Sequence, residues 1–221
     1  MNRILNSVFI VVLFVTCVDC SHAGFTAANT FGPESSYQDS GALVAGPSLG
    51  FTVSHAFSFA ATASGPLSGV EVALEYAAMN PGPHRVHFSI TEKAGNTFPN
   101  ENLLLESWTI DDFQPIGTQS GPISLSSTAR PFISAGNEYW LWADWGTDET
   151  ILNWMFSPEM GFQSTRAIMD NGVGWHTPDS EYPAAFRVSV VPEPSWPVST
   201  YFACTILAGL LQRNHRRRSN G

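Results

Sequence analysis

The feature that most constrains the fold is a series of short segments in which apolar and polar residues alternate. Residues 51–59, 85–90 and 184–190 each carry apolar side chains at alternate positions, with mostly polar or small residues between them. A period of two places neighbouring side chains on opposite sides of an extended chain, as in a strand with one buried face. The sequence therefore predicts an all-β protein.

Two further segments and the turns between strands extend this prediction. Residues 139–143 are apolar throughout and predict a central strand covered on both faces, with 151–156 as its neighbour. Residues 70–77 fit a helical face or a strand with Val70, Val72, Leu74 and Tyr76 inward, and we favour the strand. Asn171-Gly172 is the sharpest hairpin signal. About nine strands at this spacing predict an antiparallel β-sandwich, jelly-roll-like in form.

The N-terminal residues 1–23 have the three parts of a secretory signal helix. A positive start is followed by an apolar run, and small residues precede a cleavage site between Ala23 and Gly24. Cleavage removes Cys17 and Cys20, and Cys204 lies in a second apolar run near the C-terminus. The β-sandwich ectodomain, residues 24–190, is therefore expected to fold without a disulfide bond.

The C-terminal residues 191–221 also have three parts in strict order. Residues 191–195 hold the motif Pro192-Glu193-Pro194, residues 196–211 predict a transmembrane helix, and residues 212–221 form a basic cytoplasmic tail. The apolar run would span about 24 Å as a helix, which is short for a hydrocarbon core of about 30 Å. On the residues alone, an ordinary single-pass membrane anchor remains an alternative. The basic stop-transfer residues are Arg213, Arg216, Arg217 and Arg218.

This order of motif, apolar span and terminal arginines resembles the PEP-CTERM sorting signal of bacteria. The resemblance implies a transient inner-membrane anchor that an exosortase recognises and cleaves, and association with extracellular polysaccharide. The ectodomain resembles the choice-of-anchor R type of domain found with such tails. That second resemblance rests on four stretches, Phe31-Gly32-Pro33, 105–108, 135–141 and 185–188. The family carries no assigned activity, so the resemblance implies no catalytic residue.

The charge balance argues against a nucleic-acid partner. Between residues 24 and 191 the chain has five basic and seventeen acidic residues, a net charge of −12, whereas the whole chain carries −9. Binding to phosphate backbones requires clustered positive charge. We therefore expect no nucleic-acid partner for the ectodomain.

Candidate catalytic residues are few. Ser48 lies in a G-x-S-x-G pattern, but an alternating strand follows it, whereas a hydrolase elbow is followed by a helix. His84 and His87 are three residues apart, which on a strand places them on opposite faces, so they cannot share a metal ion. His55 lies among inward-facing phenylalanines and is expected to be a hydrogen-bonded core or edge residue.

Two groups of side chains are candidates for binding. Asp144, Asp148 and Glu149 form the densest cluster of oxygen ligands and are weak candidates for binding calcium as a cofactor. Trp145 and Trp175 lie beside glycines in turn-like segments, and exposed indoles there are candidates for stacking on sugar rings. Exposed, coplanar tryptophans on one surface would favour glycan binding.

Taken together, these patterns predict an exported, non-enzymatic protein of the cell surface or extracellular matrix with a structural or adhesive role. Its expected partners are the export machinery, an exosortase, the inner membrane through its tail and extracellular polysaccharide. A carbohydrate-binding module is the first alternative. A secreted hydrolase is the second, and it would need converging carboxylates or a Ser/His pair in a cleft.

Overall fold

The computed structural model describes residues 24–76, 84–111, 113–115, 121–159, 161–162, 164–178 and 182–191. The predicted signal helix, the Pro192-Glu193-Pro194 motif, the transmembrane helix and the basic tail lie outside these residues. The described part contains fifteen strands and three short 3₁₀ turns at Pro33–Ser35, Pro47–Leu49 and Glu101–Leu103. The strands are β1 Phe25–Asn29, β2 Gly41–Ala45, β3 Val53–Ala60, β4 Gly65–Val72, β5 Leu74–Tyr76, β6 Val86–Glu92, β7 Leu104–Ile110, β8 Gln114–Pro115, β9 Ile123–Ser126, β10 Phe132–Ile133, β11 Glu138–Trp145, β12 Ile151–Met155, β13 Arg166–Asp170, β14 Trp175–His176 and β15 Phe186–Val190.

The strands form two sheets, which confirms the prediction of an all-β sandwich. The five-stranded sheet has the order β1-β15-β4-β10, with β9 also paired to β4. The ten-stranded sheet has the order β7-β6-β11-β3-β2-β12-β5-β8, with β13 paired to β3 and β14 to β13. All of these pairings are antiparallel except β5 with β8. Side chains from both sheets form one shared hydrophobic core.

The alternating segments form strands as predicted, but their burial differs. In β15 the apolar residues Phe186, Val188 and Val190 are buried and the residues between them are partly exposed. In β3, however, the residues between the phenylalanines are buried too, Ser54 and Ser58 among them. The prediction of one buried face was wrong for β3, because β11 and β13 flank it and further side chains cover its outward face.

The described part of this segment, residues 70–76, is extended, as we favoured, but it is not a single strand. β4 ends at Val72 in the five-stranded sheet, and β5 begins at Leu74 in the ten-stranded sheet. Ala73, which is fully buried, is therefore the point at which the chain crosses from one sheet to the other.

β11 is a central strand, as predicted from its apolar residues, with β6 on one side and β3 on the other. The prediction that the following apolar segment is its neighbour was wrong. β12 instead pairs with β2 and β5, and the strands β3 and β2 lie between it and β11 in the sheet. The turn between β11 and β12 carries the chain past β3 rather than back along β11.

The predicted hairpin at Asn171-Gly172 is confirmed. Both residues have positive φ, 52° and 68°, and the turn joins β13 to β14 with Met169 opposite Trp175. Asn171 and glycine accept this left-handed backbone at low cost, which explains why this dipeptide closes the hairpin.

Trp154 lies at the centre of the core and is fully buried. Its ring packs edge-on against Phe57 and Phe88, with centroid separations of 4.9 and 4.8 Å, and contacts Phe186 of the other sheet at 6.2 Å. Its Nε1 donates a hydrogen bond of 3.2 Å to the carbonyl of Ala185. One side chain therefore satisfies its polar group and joins both sheets.

The backbone reinforces this junction where the two sheets meet. Ala73 N donates to Ala185 O, Ala185 N donates to Met155 O, and Met155 N donates to Ala73 O. This closed ring of three hydrogen bonds links Ala73, which follows β4, with Met155 of β12 and with Ala185, which precedes β15. We refer to Ala73, Met155 and Ala185 as the seam.

The first and last described strands pair with each other. Phe25 of β1 lies opposite Val190 of β15, and Val191 N donates a hydrogen bond of 2.9 Å to Pro66 O. The ordered pairing thus continues to the residue directly before Pro192. No helix among the described residues is long and apolar enough to cross a membrane.

Replacing Trp154 with alanine tests its central position. We expect Trp154→Ala to lower the free energy of unfolding by about 3–5 kcal/mol, because it opens a cavity between the sheets and removes one of the two hydrogen bonds that the Ala185 carbonyl accepts. Trp175→Ala, the same substitution at a partly exposed site, should cost clearly less. Urea unfolding of both variants measures the difference, and equal losses would contradict the assignment.

Candidate functional site

Alternation along β11 divides its side chains between the core and the opposite face of the ten-stranded sheet. Tyr139, Leu141 and Ala143 belong to the main core. Trp140 and Trp142 point the other way and form a separate apolar cluster with Ala56 and Ala167. We call this side of the sheet the outer face.

The outer face carries a stacked pair of tryptophans. The rings of Trp142 and Trp175 lie 5.6 Å apart between centroids and are tilted by only 18°, and both side chains stay partly exposed. Ala56 and Ala167 lie opposite each other on the two strands between β11 and β14. Because these residues are small, the two indoles can meet above them. The result is a stacked aromatic pair that stays partly exposed to solvent.

Trp140 forms the buried part of the same cluster. Phe98, from the loop between β6 and β7, packs against the cluster, and Lys93 Nζ lies 5.6 Å from the Trp140 ring centroid. Trp140 Nε1 and Thr91 Oγ1 are buried without a hydrogen-bond partner among the described residues. Trp140 and Thr91 are directly opposite each other in the register of β11 and β6.

Hydroxyl and charged groups border the stacked pair. Ser89 lies opposite Trp142 in the register of β6 and β11, and Asp144 lies opposite His87 in the next outward row. Ser54 Oγ donates to Asp144 Oδ1, and His87 Nδ1 is 3.0 Å from Thr109 Oγ1. The outer face therefore places a stacked, partly exposed aromatic pair near hydrogen-bonding side chains.

The structure separates the two tryptophans that the sequence put forward together. Trp175 lies on the outer face, but Trp145 packs against the main core on the other side of the sheet. The partner of Trp175 is Trp142, which sequence reasoning treated as core. The spacing already indicated this difference, because Trp142 and Trp145 are three residues apart on one strand and their side chains therefore point to opposite faces of the sheet.

The three candidate calcium ligands do not converge. The Asp144 side chain accepts hydrogen bonds from Ser54 Oγ and Trp145 N, whereas Asp148 and Glu149 are exposed in the turn after β11. Within the described ranges, no group of three or more His, Cys, Asp or Glu side chains could hold a metal ion. We therefore build no metal chemistry on these residues.

Ser48 occupies a 3₁₀ turn between β2 and β3. The turn Pro47–Leu49 ends at Gly50 in the left-handed conformation, with φ of 82°, and Ser48 itself is exposed. Ser48 N donates to Asp148 O, which fixes the turn against the loop after β11. The local geometry is strand, turn and strand, so the strand-to-helix elbow of an α/β-hydrolase is not formed here.

His55 is a buried core residue, as expected, and is only 2% exposed. Its Nδ1 lies 3.5 Å from Nη2 of Arg166, a buried cation that also lies over the rings of Phe57 and Phe156. Burial lowers the pKa of His55 to about 3, and the charge of Arg166 acts in the same direction. His55 is therefore neutral near pH 7.

His84 and His87 also lie as their spacing predicted, pointing apart. His84 is buried, with Nδ1 3.2 Å from the carbonyl oxygen of Glu149, whereas His87 is exposed beside Thr109.

The outer side of the five-stranded sheet forms a shallow polar trough of about 520 Å³. Across it, the Arg187 guanidinium pairs with Glu71 at 2.7 Å, and hydroxyl side chains line the remaining positions. These are Thr26, Ser68, Ser124, Ser126 and Ser189. No aromatic side chain lines this trough, so it offers hydrogen bonds without a stacking surface.

The chain was compared with models of known protein families, with curated proteins and with solved structures, and none of them matches it.

The buried state of His55 predicts a defined pH dependence of stability. Because its pKa is about 3 in the folded chain and 6.5 in the unfolded chain, the unfolded state binds the extra proton between these values. The free energy of unfolding should therefore fall as the pH is lowered from 6.5 toward 3. In His55→Gln, which keeps an acceptor for Arg166, the decline should be shallower. Urea titrations across this range measure it, and parallel curves would refute the prediction.

Proposed function

We propose that this protein is exported and sorted to the cell surface or extracellular matrix of a bacterium, where it has a structural or adhesive role. In this proposal a signal helix is removed between Ala23 and Gly24, a transmembrane helix at 196–211 holds the precursor in the inner membrane, and an exosortase processes the tail. The folded part is a jelly-roll-like member of the choice-of-anchor type. It acts without catalysis.

The observation that carries this proposal is where the folded chain ends. The backbone N–H of Val191 donates a hydrogen bond to the carbonyl of Pro66 in the five-stranded sheet. The motif Pro192-Glu193-Pro194 follows directly in the sequence, and the apolar run and the arginines come after it. A compact domain that leads directly into a proline-rich motif and an apolar segment is the arrangement that a cleavable anchor needs. The extended conformation that proline imposes keeps such a motif accessible beside the fold.

The fold itself suits a structural role. The two sheets share one core and are joined by Trp154 and by the seam, so the described part of the domain is packed as one unit. The exposed Ser48 and the buried, neutral His55 supply no nucleophile and base pair for the hydrolase alternative.

Removal of the sorting motif tests the proposed route. We expect the wild-type protein to reach the cell surface without residues 196–221, and the variant Pro192→Ala/Glu193→Ala/Pro194→Ala to stay in the inner membrane with its tail. Pro197→Ala, which changes a proline just beyond the motif, is the matched control and should be processed normally. Cell fractionation with intact-mass measurement separates these forms. A surface form that retains the whole tail would contradict the proposal.

The outer face supports a second candidate function, binding of extracellular polysaccharide. Partly exposed tryptophans on one surface favour this function, and Trp142 and Trp175 form such a pair, although their rings are stacked and not coplanar. Apolar C–H surface of a sugar can contact the exposed part of the indoles, while the partly exposed Asp144, two residues along β11 from Trp142, is available to accept from its hydroxyls. An adhesive protein of the matrix would gain its attachment in this way.

Substitution of each indole tests glycan binding. Covering roughly 60 Å² of indole contributes about 1.5 kcal/mol, so Trp142→Ala or Trp175→Ala should weaken binding about tenfold. The measurement is retention of residues 24–191 on extracellular polysaccharide purified from the producing bacterium, together with a glycan array. Phe132→Ala, which changes an exposed aromatic residue on a strand paired to β4 of the five-stranded sheet, is the control. Unchanged retention in both tryptophan variants, with folding intact, would exclude the outer face as the site.

A further inference from the structure

Two polar side-chain atoms lie buried in the outer face with no hydrogen-bond partner in the described part of the chain. They are Nε1 of Trp140 and Oγ1 of Thr91, and both residues are fully buried. A buried donor or acceptor without a partner destabilises a fold, so native structures pair nearly all of them. Two such atoms on directly opposite residues therefore point to a partner that the fold itself does not supply.

The polar groups next to the Trp140 indole are already engaged. In the register of the sheet, Trp140 lies opposite Ser58 of β3, whose Oγ accepts a hydrogen bond of 2.9 Å from Thr165 N. Lys93 Nζ, 5.6 Å from the centroid of the Trp140 ring, is paired with Glu138 at 3.2 Å. An ammonium group is also a donor, as the indole N–H is, so it cannot accept from Nε1. The required partner is an acceptor that can also pair with a hydroxyl.

Phe98 is the loop side chain that packs against this cluster. It belongs to the loop between β6 and β7, residues 93–103, and its ring is partly buried against the cluster that contains Trp140. The base of this loop is closed by a backbone hydrogen bond of 2.6 Å from Asn96 N to Lys93 O. Among the described residues, no hydrogen bond joins Phe98 or its two neighbours to the sheet. Packing alone holds the ring in place, and another apolar surface can replace it there.

Trp140 continues the exposed aromatic pair along β11. Trp140 and Trp142 are two residues apart on this strand, about 7 Å, and their side chains belong to the same cluster. Trp142 and Trp175 are partly exposed, whereas Trp140 lies at the side of the cluster that the loop covers. The step from Trp142 to Trp140 is comparable with the length of one sugar residue in a chain.

We propose that Trp140 and Thr91 form a buried second subsite for an extracellular polysaccharide, which opens when a sugar displaces Phe98. This inference rests on the second candidate function, because it requires the exposed pair to bind a polysaccharide. One sugar contacts Trp142 and Trp175, and the next takes the place of the Phe98 ring against Trp140. One hydroxyl of that sugar accepts from Trp140 Nε1 and donates to Thr91 Oγ1, because a hydroxyl can do both. The ligand is therefore a chain of at least two linked sugars.

Phe98→Ala tests the displacement. Because the closed ring competes with the second sugar, its removal raises the fraction of chains that can bind at both subsites. We expect about threefold to tenfold tighter binding to immobilised polysaccharide purified from the producing bacterium. The measurement is the half-saturating concentration of the full chain, with its apolar run held in nanodiscs of phosphatidylcholine. Phe132→Ala, on the other sheet, is the matched control and should not change it. Unchanged binding by Phe98→Ala would overturn the displacement.

Thr91→Val keeps the shape of the side chain and removes only its hydroxyl. We expect polysaccharide binding to weaken about threefold, and the gain from Phe98→Ala to be largely lost when the two changes are combined. In the absence of polysaccharide, the free energy of unfolding of the full chain should stay the same or rise, because the hydroxyl makes no bond among the described residues.

Thr30→Val is the matched control for stability. Thr30 is buried like Thr91, but its Oγ1 donates a hydrogen bond of 2.6 Å to Ala184 O. This substitution should therefore lower the free energy of unfolding, which urea titration measures for both variants. An equal loss in Thr91→Val would mean that its hydroxyl serves the fold, and the inference would be wrong.

The length of the sugar chain gives an independent measurement. Partial hydrolysis of the same polysaccharide yields single sugars and fragments of two or more linked sugars. The fragments should displace the full chain from immobilised polysaccharide about tenfold better than the single sugars, because they reach both subsites at once. The difference should shrink in Thr91→Val. Equal competition by the single sugars contradicts a second subsite.

The outcomes separate the buried subsite from the proposal beneath it. If Trp142→Ala weakens binding while Phe98→Ala and Thr91→Val leave it unchanged, the buried subsite is refuted and the exposed pair stands as the glycan site. If neither the wild-type chain nor any variant binds the polysaccharide, glycan binding is refuted and the buried subsite with it.

Discussion

The contact on which the rest of the structure depends is the one that Trp154 makes between the sheets. Its ring lies against Phe57 and Phe88 of its own sheet and Phe186 of the other, and its Nε1 bonds to Ala185 O. The seam of backbone hydrogen bonds lies beside the same carbonyl. A buried indole needs one hydrogen-bond acceptor, and here that acceptor lies on the opposite sheet. The position of the five-stranded sheet over the ten-stranded one is thus set by a polar as well as an apolar requirement.

Because this core fills one side of the ten-stranded sheet, every residue of opposite parity is directed to the outer face. That face is not simply solvated, since Phe98 and the hairpin that carries Trp175 fold over its middle. The central strand β11 is therefore covered on both sides, and yet one edge of the covering is the partly exposed pair of Trp142 and Trp175. The same alternation that buries Leu141 and Ala143 places Trp142 where a ligand could reach it. This pair is the surface that we propose for glycan binding.

The antiparallel pairing of β1 with β15 places the beginning and the end of the folded chain at the same end of the sandwich. It places Gly24 and Val191 at one end, and it leaves Phe25 exposed at the edge of the core. Asp148 and Glu149, in the turn that follows β11, lie at the other end, whereas Glu92 and Glu138 lie with Gly136 near the end at which the chain leaves the fold.

The sequence by itself determined the class of fold, the strand character of residues 70–76, the central place of β11, the hairpin at Asn171-Gly172 and the buried state of His55. Each of these follows from local periodicity or from backbone preference, which act within a few residues. Only the tertiary structure decided that the chain changes sheet at Ala73, that β12 lies beside β2 and β5, and that Trp175 meets Trp142 and not Trp145. These depend on which strands become neighbours across long stretches of chain. Periodicity assigns a side chain to a face but does not say which strand will lie next to it or what will cover it.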